Sequence, residues 1–233
     1  MQWFSSAQGT WFERLHTDEE NIRSAIDRLA GTGEPGDAEA VVAAVAALRY
    51  HWVVIGGYER ARSWLTAALD APGLPAESIA TGLATLAFLW SRAGDPEQAA
   101  AVLERLRALT EHERLADPDD RLRYLEGLNT VVAGDPRTAV RRLDDVVERR
   151  RRTGHGIASS GEALFAGALA HMIIDETEAA RAMVDECLVL SEASGDLWGQ
   201  SYITTVGALV SHAEGRSEQA LDEARAALRV LWS

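Results

Sequence analysis

Long Ala-rich apolar stretches alternate with charged amphipathic ones along this chain, and five short turn-like sites separate them, at Gly56, Gly94, Gly134, Asp175 and Gly215. The spacings are 38, 40, 41 and 40 residues, and a fixed period of this size marks a helical repeat array. Side chains recur in register with the turns. Five residues after each stand Ala61, Ala99, Ala139, Ala180 and Ala220. Nine after come Leu65, Leu103, Leu143, Val184 and Ala224, and twelve after, Ala68, Leu106, Val146, Cys187 and Ala227. Steps of four and then three place one apolar stripe on one helix face. Six residues before the turns stand Tyr50, Phe88, Leu128, Leu169 and Leu209, and seven before, the mostly small series Arg49, Ala87, Gly127, Ala168 and Ala208. Each unit therefore predicts a helix, a tight turn and a second, antiparallel helix, nested where small residues face each other.

The turn chemistry agrees. Gly94-Asp95-Pro96-Glu97 and Gly134-Asp135-Pro136-Arg137 place Gly where one helix ends, Asp at the next N-cap and Pro at its first position, and Gly215-Arg216-Ser217-Glu218 repeats the pattern with Ser as cap. Linkers fall at Pro72-Gly73-Leu74-Pro75, Asp117-Pro118-Asp119, Thr153-Gly154-His155-Gly156 and Ser194-Gly195-Asp196. They predict five hairpins, at about 36–73, 74–114, 115–154, 155–195 and 196–233. Residues 1–35 are expected to form N-terminal capping helices, the second opening on the capping box Thr17-Asp18-Glu19-Glu20, with Trp11, Phe12 and Leu15 covering the first hairpin.

The twelve-residue gap between the small position of the first helix and the Ala of the second resembles the tetratricopeptide (TPR) repeat. The period of about 40 exceeds the 34 of that repeat, and the repeat's Trp and Tyr are mostly missing. The expected fold is all-α, a right-handed superhelical solenoid of TPR-like helix hairpins. A second resemblance starts near the N-terminus. Trp11-Phe12-Glu13-Arg14-Leu15, followed by Asn21-Ile22-Arg23-Ser24-Ala25-Ile26, is similar to the W-x-x-R-L … N-[LI]-R-x-A-[LI] segment that opens the TPR-like region of bacterial STAND-type ATPase transcriptional regulators of the LuxR and antibiotic-regulator (SARP) type. Gly57-Tyr58-Glu59-Arg60-Ala61-Arg62-Ser63-Trp64-Leu65 resembles the helix start that follows there, so the likeness covers residues 11–69. It implies a non-enzymatic sensing or interaction segment of a transcriptional regulator. The alternative is a stand-alone TPR-like protein–protein adaptor.

Composition narrows the chemistry. All 23 basic residues are Arg. Without a lysine the chain cannot supply the Lys of a P-loop, a pyridoxal Schiff base or a kinase, and the Arg/Ala bias suggests a bacterial genome of high GC content. A net charge of −13 opposes DNA and anionic membranes. One cysteine, no membrane-length apolar stretch and no signal-like Met1–Phe4 start suggest a cytoplasmic protein.

No constellation of nucleophile, base and orienting group stands out, so no catalytic residue is expected and no enzyme. The six histidines, at 16, 51, 112, 155, 171 and 212, are dispersed, and neither a metal nor another cofactor is expected. Cys187 reads as a small buried hydrophobe and the run Arg149–Arg152 as a helix C-terminus. Carried over from the TPR register, the groove side of the first helices presents Tyr50, Ser91, Arg121, Tyr124, Glu162, Tyr202 and His212 as the candidate ligand or peptide site. The expected partners are a protein or peptide, a small effector, or other domains of a larger regulator. The apolar end Val230-Leu231-Trp232 needs cover from more chain or from a partner copy in a homo-oligomer.

Overall fold

All five turn residues adopt the left-handed conformation, with φ of 69° at Gly56, 79° at Gly94, 82° at Gly134, 64° at Asp175 and 79° at Gly215. Glycine enters this region freely, whereas a side-chain-bearing residue is strained there by roughly 1–2 kcal/mol. Asp is among the few that tolerate it. The computed structural model describes residues 5–116, 120–153 and 157–231. Twelve helices are found among them: α1 (Gln8–Ala30), α2 (Pro35–Ala47), α3 (Arg49–Val54), α4 (Tyr58–Leu69), α5 (Ala76–Arg92), α6 (Pro96–Glu113), α7 (Arg121–Val132), α8 (Pro136–Thr153), α9 (Ile157–Ile173), α10 (Thr177–Ser194), α11 (Leu197–Ala213) and α12 (Ser217–Leu231). The fold is all-α, an array of helical hairpins. Packing divides it into two compact units, Phe12–Ala133 and Gly134–Ser233, the latter joined by the chain's first residues up to Trp11.

In the first unit α2 packs on α4 and α5, α5 on α6 and α7, and α6 on α7. Its core holds Val41, Val42 and Val45 of α2 with Trp52, Leu65, Leu83 and Leu89. The Trp52 indole N–H donates to the Val45 carbonyl at 3.2 Å. Asp27 of α1 accepts the Trp64 indole N–H at 2.7 Å and a guanidinium N–H of Arg60. These two bonds, Trp64 first, hold its carboxyl below the ordinary carboxylate range. The Asp95 carboxylate caps α6 by accepting the Gln98 amide at 3.1 Å, with Pro96 opening the helix.

In the second unit α9 packs on α8, α10 and α11, α10 on α11, and α11 on α12. Leu143, Val146, Leu164, Val184 and Ile203 form its center. Asp135 caps α8 through the Thr138 amide at 3.1 Å. The close-approach alanines behave as their register demands: Ala61, Ala99, Ala139 and Ala180 are fully buried, and only Ala220, on the last helix, is half-exposed. Gly167 marks another close approach, since a Cβ there would lie 2.6 Å from the Met183 sulfur.

Three expectations change. The capping box does not start a helix: α1 runs unbroken from Gln8 to Ala30, and the Thr17 hydroxyl donates to the Glu13 carbonyl at 2.9 Å within it. One capping helix therefore stands where more than one was expected. The first helix of hairpin 36–73 is broken at Leu48 (φ −101°, ψ 14°) into α2 and α3. The third hairpin, 115–154, contributes α7 to the first unit and α8 to the second. The linker residues Asp117-Pro118-Asp119 and Gly154-His155-Gly156, the Met1–Phe4 start and Trp232 lie outside the described residues.

Candidate functional site

First helices of successive hairpins pack on each other, α5 against α7 and α9 against α11. This decides the fate of the predicted groove residues. Tyr50, Ser91 and Tyr124 are 5%, 3% and 5% exposed, interior rather than groove-lining. Tyr50 follows the Leu48 break, meets the Phe88 ring edge-on at 6.0 Å and lies under the Arg49 guanidinium. The Ser91 hydroxyl donates to the Asn129 carboxamide oxygen at 3.3 Å, between α5 and α7. Arg121 and His212 are exposed, while Glu162 and Tyr202 are half-buried. Tyr50, Ser91, Arg121 and Tyr124 belong to the first unit and Glu162, Tyr202 and His212 to the second.

Arg121 lines a sizable cleft. It stands at the start of α7, beside a cleft of about 510 Å³ that α5 and the end of α6 wall in. Ala84 and Leu106 give this cleft an apolar floor, and Glu77, Glu113, Arg114 and Arg121 stand around it with both signs of charge. Arg114 holds the α6 C-cap in the left-handed region (φ 53°), which ends the helix and turns the chain along the cleft. A volume within the ordinary ligand range, an apolar floor and convergent charges suit a short amphipathic segment. On the α6–α7 side, the Arg107 guanidinium donates to Glu104 at 2.7 Å and also pairs with Glu126, which fixes α6 on α7 beside it.

In the second unit Tyr202 stacks on Trp198 (ring centers 4.8 Å apart, planes 15° apart) and tilts against Phe165 at 4.5 Å. This half-buried ladder joins α9 to α11. Sequence reasoning singles out Tyr202 for the groove and reads Trp198 as core packing, but does not foresee that the two stack and meet Phe165 of α9.

His171 was also missed. Only 4% exposed in the last turn of α9, it sets Nδ1 2.7 Å from Glu176 Oε2 and Nε2 3.0 Å from Asp144 Oδ1. The imidazole thereby ties α8, α9 and the turn before α10 together. The two carboxylates approach opposite ring nitrogens, a bridge rather than a chelate. Among the described residues no group of three or more His, Cys, Asp or Glu is placed to hold a metal ion.

The Cys187 thiol is buried, and desolvation pushes its pKa up to about 12. It packs as the small hydrophobe that its register position predicts. The Arg149–Arg152 run ends α8 as expected. Arg149 pairs with Asp145 at 3.3 Å, Arg151 with Glu186 of α10, and Arg150 is 3% exposed. No described helix is long and apolar enough to cross a membrane.

No protein-family model and no curated protein matches this chain. Its fold is similar to the crystal structure of BtubC (BKLC) from P. vanneervenii, at 17% sequence identity and a TM-score of 0.64, over 94% of this chain and 90% of that one. At that identity the likeness concerns the fold.

Proposed function

We propose that this chain is a protein-interaction segment that binds a peptide in the cleft at Arg121, and that it serves a bacterial transcriptional regulator of the STAND-ATPase type. The cleft carries the first half of this reading: an apolar floor ringed by Glu77, Glu113, Arg114 and Arg121 offers an amphipathic segment both burial and charge pairing. The N-terminal likeness over residues 11–69 supports the second half. The segment acts by binding rather than by catalysis, in the cytoplasm, and other domains of the same regulator are natural occupants of the cleft.

The test is fluorescence polarization of labelled amphipathic peptides against the full chain and its Arg121→Glu and Arg114→Glu variants. A peptide that binds the parent and loses about tenfold affinity in each variant supports the cleft, consistent with ~1–3 kcal/mol for a lost charge-assisted contact. Equal binding to all three proteins overturns it. For the regulatory half, deleting the gene should change transcription of neighboring genes, and an unchanged transcript profile would remove that role while leaving the adaptor reading.

A further inference from the structure

The turn that opens α11 holds a polar contact between residues 188 positions apart in sequence. Asp196 is only 1% exposed. Its carboxylate accepts the Gly199 amide at 2.8 Å, as an N-cap does, and the same Oδ1 accepts the Gln8 side-chain N–H at 2.9 Å. The Gln8 carboxamide oxygen in turn accepts the Trp198 backbone N–H at 2.8 Å. Gln8, itself 5% exposed, thus uses both ends of its amide at once.

The surroundings are cut to receive this segment. Gly195 has φ of 72°, and a Cβ there would come within 3.0 Å of Ser6 N and Cβ, so its missing side chain leaves room for the backbone of residues 5–7. At Gly199 a Cβ would lie 2.1 Å from Asp196 Oδ2. The Trp198–Tyr202–Phe165 ladder stiffens the helix turn that presents the Trp198 N–H. Burial pushes the Asp196 pKa up, while the Gly199 and Gln8 hydrogen bonds pull it down.

We infer that Asp196 and the Trp198 amide form a docking site for a glutamine side chain on a short helical segment, which the chain's own residues 5–11 fill as an exchangeable internal ligand. An acceptor beside a donor is the complement of a primary carboxamide. Glutamate would set a second carboxylate against Asp196, asparagine is one methylene short, and lysine or arginine would leave the Trp198 N–H without an acceptor. The in-trans ligand is therefore this same segment from a second copy of the chain, the exchange of an identical element that produces swapped dimers. The inference stands apart from the cleft at Arg121, which belongs to the other unit.

The experiment uses the full chain and a labelled peptide of residues 5–14. The Gln8→Ala chain, whose own segment is weakened, should bind the peptide saturably and at least tenfold more tightly than the parent, whose segment competes. A peptide carrying Gln8→Glu should not bind. Equal binding to both chains, or no binding to either, overturns the inference. Amide hydrogen exchange separates docking from folding. In Gln8→Ala the Trp198 amide should lose protection while Gly199, still held by Asp196, keeps it. Loss at both positions would make Gln8 a structural part of the α11 start and overturn the exchangeable role.

Discussion

His51 sits in α3, 2% exposed, and neither ring nitrogen has a hydrogen-bond partner among the described residues. Trp52 lies edge-on at 5.1 Å. Burial drives its pKa below the ordinary 6.5; Glu19 of α1 opposes this, and Arg23 and His16, also of α1, reinforce it. The sign follows. The unfolded chain binds a proton at this histidine as pH drops through 6.5, whereas the folded chain resists it, so folding loses stability on acidification and is fully favored above 6.5. Between pH 7.5 and 5.5 one histidine can contribute at most about 1.4 kcal/mol in this way. His51→Leu keeps the volume and removes the titration, at a packing cost below about 1.5 kcal/mol. Guanidinium unfolding followed by circular dichroism at the two pH values gives four free energies. The drop on acidification should be smaller in the variant by about 1 kcal/mol, because every other titrating group is common to both proteins. An equal drop, or a larger one in the variant, would refute the assignment of a neutral buried imidazole.

Leu143, fully buried in the second unit, should cost about 3–5 kcal/mol as Leu143→Ala; calorimetry should show the melting temperature falling by roughly 2–4 °C per kcal/mol. Gly167→Ala should destabilize by about 1 kcal/mol, since its Cβ would lie 2.6 Å from the sulfur of the flexible Met183 side chain while helix propensity offsets part of the cost. Met183→Val in the same background should recover part of that loss, and a double-mutant cycle without coupling would count against the contact. Cys187, with its thiol pushed up to about 12, should react with a disulfide reagent at pH 8 about a thousandfold more slowly than free cysteine. A rate near that of free cysteine would show that the site opens.

Periodic features were readable in the sequence because steric demands repeat. The left-handed turns recur five times, the buried alanines four times and the Asp-Pro helix starts twice, all at fixed offsets, so weak signals add up. Features that occur once were not readable. Thr17-x-x-Glu20 has the letters of a helix start, yet the helix continues through it because residues on both sides are good formers and no Gly or Pro intervenes between Thr10 and Ala30. The break at Leu48 carries no Gly or Pro either. Ser91 and Tyr124 went from groove to interior because α5 meets α7, and Tyr50 because α3 meets α5 at Phe88, contacts between repeats that within-repeat counting cannot see. Arg121 stayed on a cleft because it begins its helix, beyond that packed face. His171 finds Asp144 across 27 residues, and Gln8 finds Asp196 across 188. No spacing rule reaches that far.

Six helices match in length: α5, α9 and α11 have 17 residues each, and α6, α8 and α10 have 18, while α7 is shorter at 12. Matched lengths make one hairpin geometrically exchangeable for another. A duplication or deletion in the gene that spans one whole period moves neighboring hairpins as intact blocks and keeps every alanine opposite its small partner. A gain or loss of one or two codons inside a helix rotates all that follows by about 100° per residue and breaks the nesting. The size of such a gene should therefore change in steps of about 40 codons, and the hairpin, more than the residue, is the unit in which it grows or shrinks.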